Sequence, residues 1–443
     1  MNNLLLSLTD LCVSVLFILS LRGLAFPQSA YRSNIIGIIG MIIAITASAL
    51  TNPNLLLIFS AIVIGALIGW RIAYYIKMTA LPQTIAAFNG LGGLAAFLVA
   101  VCATLNQNSG LDIAGGAVIG IFTFSGSFIA FAKLQGLIKQ QPDTHLLNML
   151  LSIALLAAII VYYHNASLLN FGILTTIACA LGVFITFRIG GADMPIVISL
   201  LNAGSGLASA AVGFMMNSSL LIITGALVGA GGSILSYVMS KAMNRNLRHI
   251  LFGKQKHRET IADQEQRLVK TGSPLEAAYL MENASKVIIV PGYGMAVSQA
   301  QHTLKQMSSL LKQKYNVDVR FAIHPVAGRM PGHMNVLLAE ADVPYENIFG
   351  FDEINNEFAT ADVAYIIGAN DIVNPLAKND SSSPIYGMPI FDAALAKTVF
   401  VIKRSMASGY SGLDNPLFYA DNTIMLFGDA QKVTAEIVKI LEH

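Results

Sequence analysis

The chain has 443 residues, of which 55% are hydrophobic and only 12% are charged, and its mean hydropathy is +0.63. This composition excludes an ordinary soluble protein and indicates several membrane spans. A formal net charge of +2 is too small to suggest a nucleic-acid partner. The three cysteines lie in apolar segments without the spacing of a disulfide framework or a metal site, which favours a reducing cytoplasm for any soluble part.

Nine apolar segments in the first 240 residues are long enough to cross a bilayer. They lie near 4–21, 34–51, 55–76, 84–105, 112–132, 146–163, 168–187, 194–215 and 219–240. Arg22 follows the first apolar run instead of preceding it. We therefore expect this run to be a membrane helix and not a signal peptide.

Basic residues between the predicted helices indicate how the chain is oriented in the membrane. They are Arg22, Arg32, Arg71, Lys77, Lys133, Lys139 and Arg188, and all fall at one set of alternate connections. The other connections, near 52–54, 106–111, 164–167 and 216–218, contain neither Lys nor Arg. The positive-inside rule then predicts that the N-terminus lies outside and that residues 241–443 lie in the cytoplasm.

The composition changes abruptly after residue 240 and predicts three segments. Residues 1–240 are a transmembrane domain, and 241–283 are a basic juxtamembrane segment followed by a polar linker. The basic cluster is most simply explained as a topology anchor beside anionic headgroups. Residues 284–443 have the length and pattern of an α/β domain that buries its own core.

Polar side chains are rare inside the predicted spans, which makes each one a functional candidate. Asp193 lies at the cytoplasmic entry of the eighth helix, where an interfacial or capping role is an equal alternative. Asn89 and Asn202 lie deep in spans, and an amide there needs partners and can order water. Hydrogen bonding between packed helices explains each amide equally well.

A glycine turn opens the soluble domain. The β-branched run at 287–290 ends at Pro291, Gly292 and Gly294 follow, and a helical pattern continues to Tyr315. This strand, turn and helix are typical of the phosphate-binding half of a nucleotide-binding unit. The pattern is G-x-G-x-x-V, with Val297 where many such folds have a third glycine, so an ordinary glycine-rich turn remains the alternative.

The remaining elements alternate between strands and helices. Further strands are predicted at 317–324, 362–371, 397–405 and 423–427, with Asp429 capping the last helix. The alternation predicts a Rossmann-like, doubly wound parallel sheet with ligands at the carboxyl ends of the strands.

Two strand ends carry information about the ligand. NAD-binding units usually end the second strand with an acid that binds the ribose, whereas this strand ends in His324. A later strand ends in Lys403, Arg404 and Ser405, which suit a 2′-phosphate and favour NADP(H) over NAD(H). A solvated basic strand end is the alternative. The loop at 409–416 is predicted to close over a bound nucleotide.

Several strings of residues together resemble one family. They are Pro291–Gln301, His324–Asn335, Ile367–Asp371, Lys403–Met406, Gly190–Pro195 and Gly225–Arg245. Over essentially the whole chain, the sequence resembles the β subunit of proton-translocating nicotinamide nucleotide transhydrogenase. The resemblance implies that the membrane domain conducts protons, that the soluble domain binds NADP(H), and that a separate α subunit binds NAD(H). It also implies a Re/Si-specific enzyme that couples hydride transfer to inward proton movement, in a homodimer of αβ units in a bacterial inner membrane.

The same resemblance implies roles for individual residues. The pyrophosphate contacts are Gly292, Tyr293, Gly294 and Val297, with the nucleotide reversed from the usual Rossmann orientation. The 2′-phosphate site is Lys403, Arg404 and Ser405, the lid contains Gly409 and Tyr410, and Arg329 and Asp371 lie near the nucleotide, where Asp371 is a candidate for sensing the proton. In the membrane half, Asn202 and Asp193 belong to the proton path, and Lys241 and Arg245 belong to the coupling segment.

One departure concerns Asn89, which stands where many family members have a histidine. An amide does not titrate near neutrality, and His145 and His164 both lie near span ends. Either the α subunit supplies the titrating group, or Asn89 and Asn202 order a water wire. A rival class, a channel or transporter gated by a nucleotide-sensing domain, predicts a charged ion pathway and an acid at the end of the second strand.

Overall fold

The computed structural model describes residues 3–24, 27–50, 54–106, 110–138, 144–190, 193–244, 247–252, 269–330, 332–381, 383, 385–407 and 412–443. The chain divides into two compact units. The first unit contains Met1–Ile189 and Val197–Ser236, and the second contains Gly190–Ile196 and Tyr237–His443.

Within the described ranges, nine helices are long and apolar enough to cross a membrane. They are α1 (Asn3–Leu24), α2 (Pro27–Leu50), α3 (Leu55–Tyr75), α4 (Leu81–Leu105), α5 (Leu111–Leu134), α6 (His145–His164), α7 (Leu168–Arg188), α8 (Met194–Met215) and α9 (Ser219–Ala242). All nine predicted spans are confirmed, although α2 begins at Pro27 and not near residue 34. None of the residues of α3 is buried within the protein.

Small residues bring the membrane helices into close contact. A Cβ atom added to Gly93 of α4 would lie 2.6 Å from the Gly120 carbonyl oxygen of α5, and one added to Gly120 would lie 2.7 Å from the Gly93 oxygen. Gly225 of α9 approaches the main chain of α8, where an added Cβ would lie 2.4 Å from the Ala210 nitrogen. The backbones therefore touch at these positions, and only glycine fits.

The second unit continues with α10 (Leu247–Phe252) and then an α/β region. Its helices are α11 (Pro274–Glu282), α12 (Tyr293–Ser298), α13 (Gln301–Tyr315), α14 (His333–Glu340), α15 (Phe351–Ile354), α16 (Leu376–Asn379) and α17 (Ala430–Glu442). Its strands are β1 (Lys286–Pro291), β2 (Asp318–Ile323), β3 (Ile348–Gly350), β4 (Val363–Ile367), β5 (Thr398–Lys403) and β6 (Thr423–Phe427). Short 3-10 turns join several of these elements.

The six strands form one parallel sheet in the order β3-β2-β1-β4-β5-β6. Every residue of β4 is buried, as are residues 287–291 of β1, because helices flank the sheet. The predicted doubly wound sheet is therefore confirmed. The strand order reverses between β1 and β4, and in folds of this type the crevice at that point is where ligands bind.

The helix after the glycine turn differs from the prediction. The sequence pattern predicted one helix up to Tyr315, whereas the structure has α12 and α13 separated at Gln299. Gln299 adopts a left-handed conformation with a φ of 56°, and its N–H caps the end of α12. Glycine or asparagine usually marks such a cap, so a glutamine there gave no signal of a helix end.

Candidate functional site

A cavity of about 580 Å³ opens at the carboxyl ends of β1, β4, β5 and β6. Many of the predicted site residues line it. They are Gly292, Tyr293, Gly294, Val297, Asp371, Lys403, Arg404 and Ser405. Met243, just beyond α9, also lines the cavity, and the sequence gave no reason to expect it there.

Arg329 approaches this cavity through another side chain. Its guanidinium carbon lies 4.2 Å from the centre of the Tyr293 ring, and Tyr293 lines the cavity. Such a cation–π contact orients the tyrosine ring. The predicted lid residues Gly409 and Tyr410, and the predicted coupling residue Arg245, lie outside the described residues, while Lys241 lies in the last turn of α9.

The glycines after β1 are required by a contact inside the protein. Gly292 N–H donates to the Ile367 oxygen at 2.9 Å, and Gly294 N–H donates to the Gly368 oxygen at 3.0 Å. A Cβ atom at Gly294 would lie 2.5 Å from the Gly368 Cα, and one at Gly368 would lie 2.3 Å from the Gly294 Cα. The turns after β1 and β4 thus pack backbone against backbone and form the floor of the cavity. Both glycine N–H groups donate to main-chain oxygens of the opposite turn.

The basic side chains at the end of β5 point to different partners. Lys403 Nζ donates to the Ala407 oxygen at 2.9 Å and lies 4.5 Å from the centre of the Phe418 ring. Burial lowers the pKa of Lys403, and the nearby carboxylates of Asp414 and Asp371 oppose that shift. Arg404 makes an ion pair with Asp429 at 3.2 Å, and its side chain is 62% exposed.

Two buried asparagines tie the loop after β4 to the C-terminal part of the predicted lid, the loop at 409–416. Asn374 Nδ2 donates to the Asp414 oxygen at 3.0 Å, and Asn415 Nδ2 donates to the Asn370 main-chain oxygen at 3.0 Å. Asn415 Nδ2 also contacts Asn370 Oδ1 at 3.2 Å, which fixes the orientation of that amide. Asn370 Nδ2 is buried and has no hydrogen-bond partner among the described residues, so it is a donor held at the cavity wall. Sequence reasoning assigned no role to these asparagines.

His324 follows β2 and occupies the position where NAD-binding units usually have an acid. Its Nε2 donates to the Pro389 oxygen at 2.8 Å, and its Nδ1 accepts from the Val326 N–H at 3.2 Å. The ring packs edge-on against Phe351 and Phe391. Burial lowers the pKa of His324 to about 4, although the bond to the Pro389 carbonyl opposes the shift. The imidazole is therefore neutral at pH 7.

The predicted proton-path residues lie in or beside the membrane helices. Asn89 of α4 is buried, and its Nδ2 donates to the Ile198 oxygen of α8 at 3.4 Å, one turn before Asn202. The main-chain oxygen of Asn202 accepts a hydrogen bond from Ser205 Oγ at 2.9 Å. Asp193 immediately precedes α8. The bond from Asn89 joins two packed helices, and His145 and His164 are the first and last residues of α6, as predicted.

Lys133 has a structural role that the sequence reasoning missed. Its Nζ donates to the Phe187 oxygen at 2.5 Å and to the Ile189 oxygen at 2.7 Å. These carbonyls belong to the end of α7, where main-chain oxygens lack helical partners. Sequence analysis used Lys133 only as a topology signal, because the contact joins residues far apart in the chain.

Comparison with known proteins identifies the family. The family model described as NAD(P) transhydrogenase beta subunit matches residues 6–440. The chain belongs to this family. Two Rhodospirillum rubrum proteins, one from a named strain, are both called NAD(P) transhydrogenase subunit beta. Each is 51% identical to this chain over 451 residues, covering 96% of this chain and 97% of the relative.

The family resemblance stated from the sequence is thereby confirmed. This β subunit is part of an enzyme whose family transfers hydride between nicotinamide nucleotides and couples that transfer to proton translocation. It is a multi-pass membrane protein with an α-subunit partner. The identification sets aside the channel or transporter alternative, and the neutral His324 at the end of β2 also differs from what that alternative predicted.

The first prediction concerns the backbone contact under the cavity. Gly368 has a φ of 68°, and an added Cβ meets only main-chain atoms of the opposite turn. Gly332 has a φ of 69°, but an added Cβ meets nothing within 4 Å. We expect Gly332→Ala to lower the free energy of unfolding by about 1–2 kcal/mol, because alanine is strained in the left-handed conformation. Gly368→Ala has the same strain and also forces a Cβ atom against the opposite turn, so it should lower the free energy of unfolding by roughly 1–3 kcal/mol more. It should also impair nucleotide binding.

The measurement is pulse proteolysis of the detergent-solubilised chain at increasing urea concentration. Nucleotide binding is measured on the same samples. Equal losses of stability in the Gly332→Ala and Gly368→Ala variants would contradict the proposed contact.

The second prediction concerns pH. Between about pH 6.5 and pH 4 the unfolded chain binds a proton at residue 324 that the folded chain does not, so stability present above pH 6.5 is lost as the pH falls. For a pKa of about 4, the loss from this one group between pH 7 and pH 5 is about 2 kcal/mol. His324→Gln should therefore be less stable at pH 7 but show a smaller decrease on acidification. His302→Gln, at an exposed position of α13, is the control. Parallel pH curves for wild type and His324→Gln would contradict the assignment.

Proposed function

We propose that this β subunit binds NADP(H) in the cavity at the ends of β1, β4, β5 and β6, while the α subunit binds NAD(H). The observation that carries the proposal is that Lys403, Arg404 and Ser405 line the same cavity as the Gly292–Gly294 turn. A cavity at the reversal of strand order suits a dinucleotide, and two cations with a hydroxyl suit a 2′-phosphate.

The charges around Arg404 support this assignment. Its ion pair with Asp429 is largely exposed, and exposed pairs contribute little to stability. Turning Arg404 from Asp429 to a phosphate therefore costs little, and its planar guanidinium can bind two phosphate oxygens at once. Lys403 is held nearer the cavity by Ala407 and Phe418, so it offers a fixed positive charge.

Further polar groups fit the body of a dinucleotide. Asn370 Nδ2 offers a buried donor without a partner among the described residues, which suits a ribose or pyrophosphate oxygen. Val297 is 47% exposed and, with Tyr293, adds apolar surface to the wall. Hydride transfer needs two nicotinamide rings held close together in a dry site, and it needs no protein nucleophile.

Asp371 and Arg329 are proposed to act beside the nucleotide, with Asp371 sensing the protonation event. Asp371 lies in the loop after β4. The hydrogen bonds of Asn374 to Asp414 and of Asn415 to Asn370 join this loop to residues 414–415. The predicted lid residues Gly409 and Tyr410 precede that anchored segment. A change of charge at Asp371 would therefore act on a loop to which the end of the lid is tied.

In the membrane, we assign the proton path to Asn89, Asn202 and Asp193. Either the α subunit supplies the titrating group, or Asn89 and Asn202 order a water wire. Residues 1–240 form the conduit, 241–283 with Lys241 and Arg245 carry the coupling, and 284–443 bind the nucleotide. The N-terminus lies outside a bacterial inner membrane, and the C-terminal domain is cytoplasmic. Protons move inward. The enzyme is Re/Si-specific and is a homodimer of αβ units. The positive-inside pattern supports this orientation.

The third prediction tests the 2′-phosphate site. Each charge-assisted hydrogen bond contributes roughly 1.5–3 kcal/mol, so Lys403→Ala with Arg404→Ala should weaken NADPH binding by about 10² to 10⁴-fold. Lys397→Ala, which removes an exposed lysine from the opposite end of β5, should leave the affinity unchanged. Binding is measured by calorimetry on the full chain with NADPH and NADH. Equal affinity of the wild type for the two nucleotides would defeat the assignment.

The fourth prediction tests coupling in the assembled enzyme. One charge crossing 100 mV releases about 2.3 kcal/mol, which shifts the NADPH/NADP⁺ balance by about 40-fold. The chain is purified with its α subunit, reconstituted in sealed vesicles and assayed for hydride transfer with and without a proton gradient. A rate and an equilibrium that ignore the gradient would overturn the proposal.

A further inference from the structure

One wall of the main cavity is built by two segments that lie far apart in the chain. Met243 comes from the residues that follow α9, and Ile385 and Met388 come from a turn between α16 and β5. We call residues 385–388 the wall turn. All three side chains are apolar, and all belong to the second unit. The segment that follows α9 is therefore part of the cavity wall itself.

The residue after Met243 joins the two segments by a hydrogen bond. Asn244 Nδ2 donates to the Tyr386 main-chain oxygen, in the wall turn, at 2.7 Å. Asn244 has a φ of 48°, and its N–H donates to the Lys241 oxygen at 3.0 Å, so it ends the helical run in a left-handed conformation. Asparagine tolerates this conformation better than most residues do. One side chain thus follows a helix end and binds the wall turn.

The fit between Asn244 and the wall turn leaves no space for a side chain at Gly387. An added Cβ atom would lie 2.2 Å from Asn244 Nδ2 and 3.0 Å from its Cγ, and the three atoms nearest to it all belong to the Asn244 amide. Gly387 also has a φ of 77°. The glycine is therefore required by the close approach of Asn244 as well as by its own backbone conformation.

The wall turn is also connected to the predicted lid. It belongs to a small apolar cluster formed by Ala377, Ile385, Met388 and Ile390. Leu413, in the loop at 409–416, packs against this cluster. Gly387 N–H donates to the Ala377 oxygen at 2.8 Å, which ties the turn to α16. A movement of the wall turn would therefore reach the lid through packed side chains.

We propose that Asn244 is a positioning residue for the nucleotide, because its hydrogen bond holds the wall turn against the cavity and so controls how fast NADP(H) leaves. This inference rests on the proposed binding of NADP(H) to this chain. Asn244 does not itself line the cavity, so it acts through Ile385 and Met388. The amide is exposed, and water can replace the bond when the turn moves away. The bond can therefore break and form again during nucleotide exchange.

The test measures how fast NADPH leaves the full chain in detergent, from the fluorescence change when excess NADP⁺ displaces it. Asn244→Gly removes the amide and keeps a residue that readily adopts a left-handed conformation. It should release NADPH roughly two- to tenfold faster than the wild type, the effect of one exposed hydrogen bond. Asn244→Asp, which keeps the shape but loses the N–H donor, should also release NADPH faster.

Asn217→Gly is the matched control. Asn217 follows α8 as Asn244 follows α9, with a φ of 51°, and it does not line the cavity. This variant should release NADPH at the wild-type rate. The same acceleration in Asn217→Gly and Asn244→Gly would overturn the role of Asn244.

A double-variant cycle tests the contact itself. Gly387→Ala should speed the release of NADPH, because its Cβ atom displaces the Asn244 amide. In the Asn244→Gly chain that clash is absent, so the same alanine should have a much smaller effect. Two effects that simply multiply in the double variant would contradict the proposed contact.

Two further readouts separate positioning from damage to the fold. In pulse proteolysis without nucleotide, Asn244→Gly should be no less stable than the wild type. In the enzyme assembled with its α subunit, the KM for NADPH should rise two- to tenfold while kcat does not fall. A loss of both stability and kcat would show a purely structural role and overturn the proposal.

The outcomes distinguish this inference from the function on which it rests. A wild-type chain that does not bind NADPH overturns both. If the wild type binds NADPH and Asn244→Gly releases it at the wild-type rate, only the role of Asn244 is overturned.

Discussion

The α/β region depends on one close contact between two stretches of main chain. The turn after β1 and the turn after β4 meet at Gly294 and Gly368, with no space for a side chain on either. The contact lies at the reversal of strand order, where the two halves of the sheet diverge and open a crevice. Because the floor is made of backbone, the walls on both sides can differ. The β5 side is cationic, and the β2 side combines apolar side chains with His324, His333 and Asn335.

The two units handle polarity in different ways. In the membrane unit, Asn89 and Ser205 are neutral and bond to main-chain oxygens, which is the inexpensive way to keep polar groups in hydrocarbon. In the second unit, the charged side chains of Lys403 and Arg404 lie at the end of β5 and line the main cavity. On the proposed function, free energy from proton movement reaches the nucleotide as a change of conformation. The loop tied by Asn374 and Asn415, which carries Asp371, is the proposed receiver.

Hydropathy and local pattern predicted the membrane spans and the parallel sheet, and together with the family resemblance they predicted eight of the residues that line the main cavity. These features depend on residues close together in the chain, which is why they could be read from the sequence. The break at Gln299 could not, because glutamine seldom adopts a left-handed conformation. The bonds of Asn415 and Lys133 escaped notice because each joins segments about forty or more residues apart. The strand β3 has only three residues, which is too short for the alternation of polar and apolar residues that predicts a strand.

The exposure of α3 has a practical consequence for spectroscopy. Trp70, the one tryptophan of the chain, lies in this helix and is 67% exposed within the protein. Its emission therefore reports on the surroundings of α3, and the main cavity contains no tryptophan that could report on it. A tryptophan introduced at Phe418, against Lys403, would be an added reporter there, and replacing Trp70 with phenylalanine would remove the background.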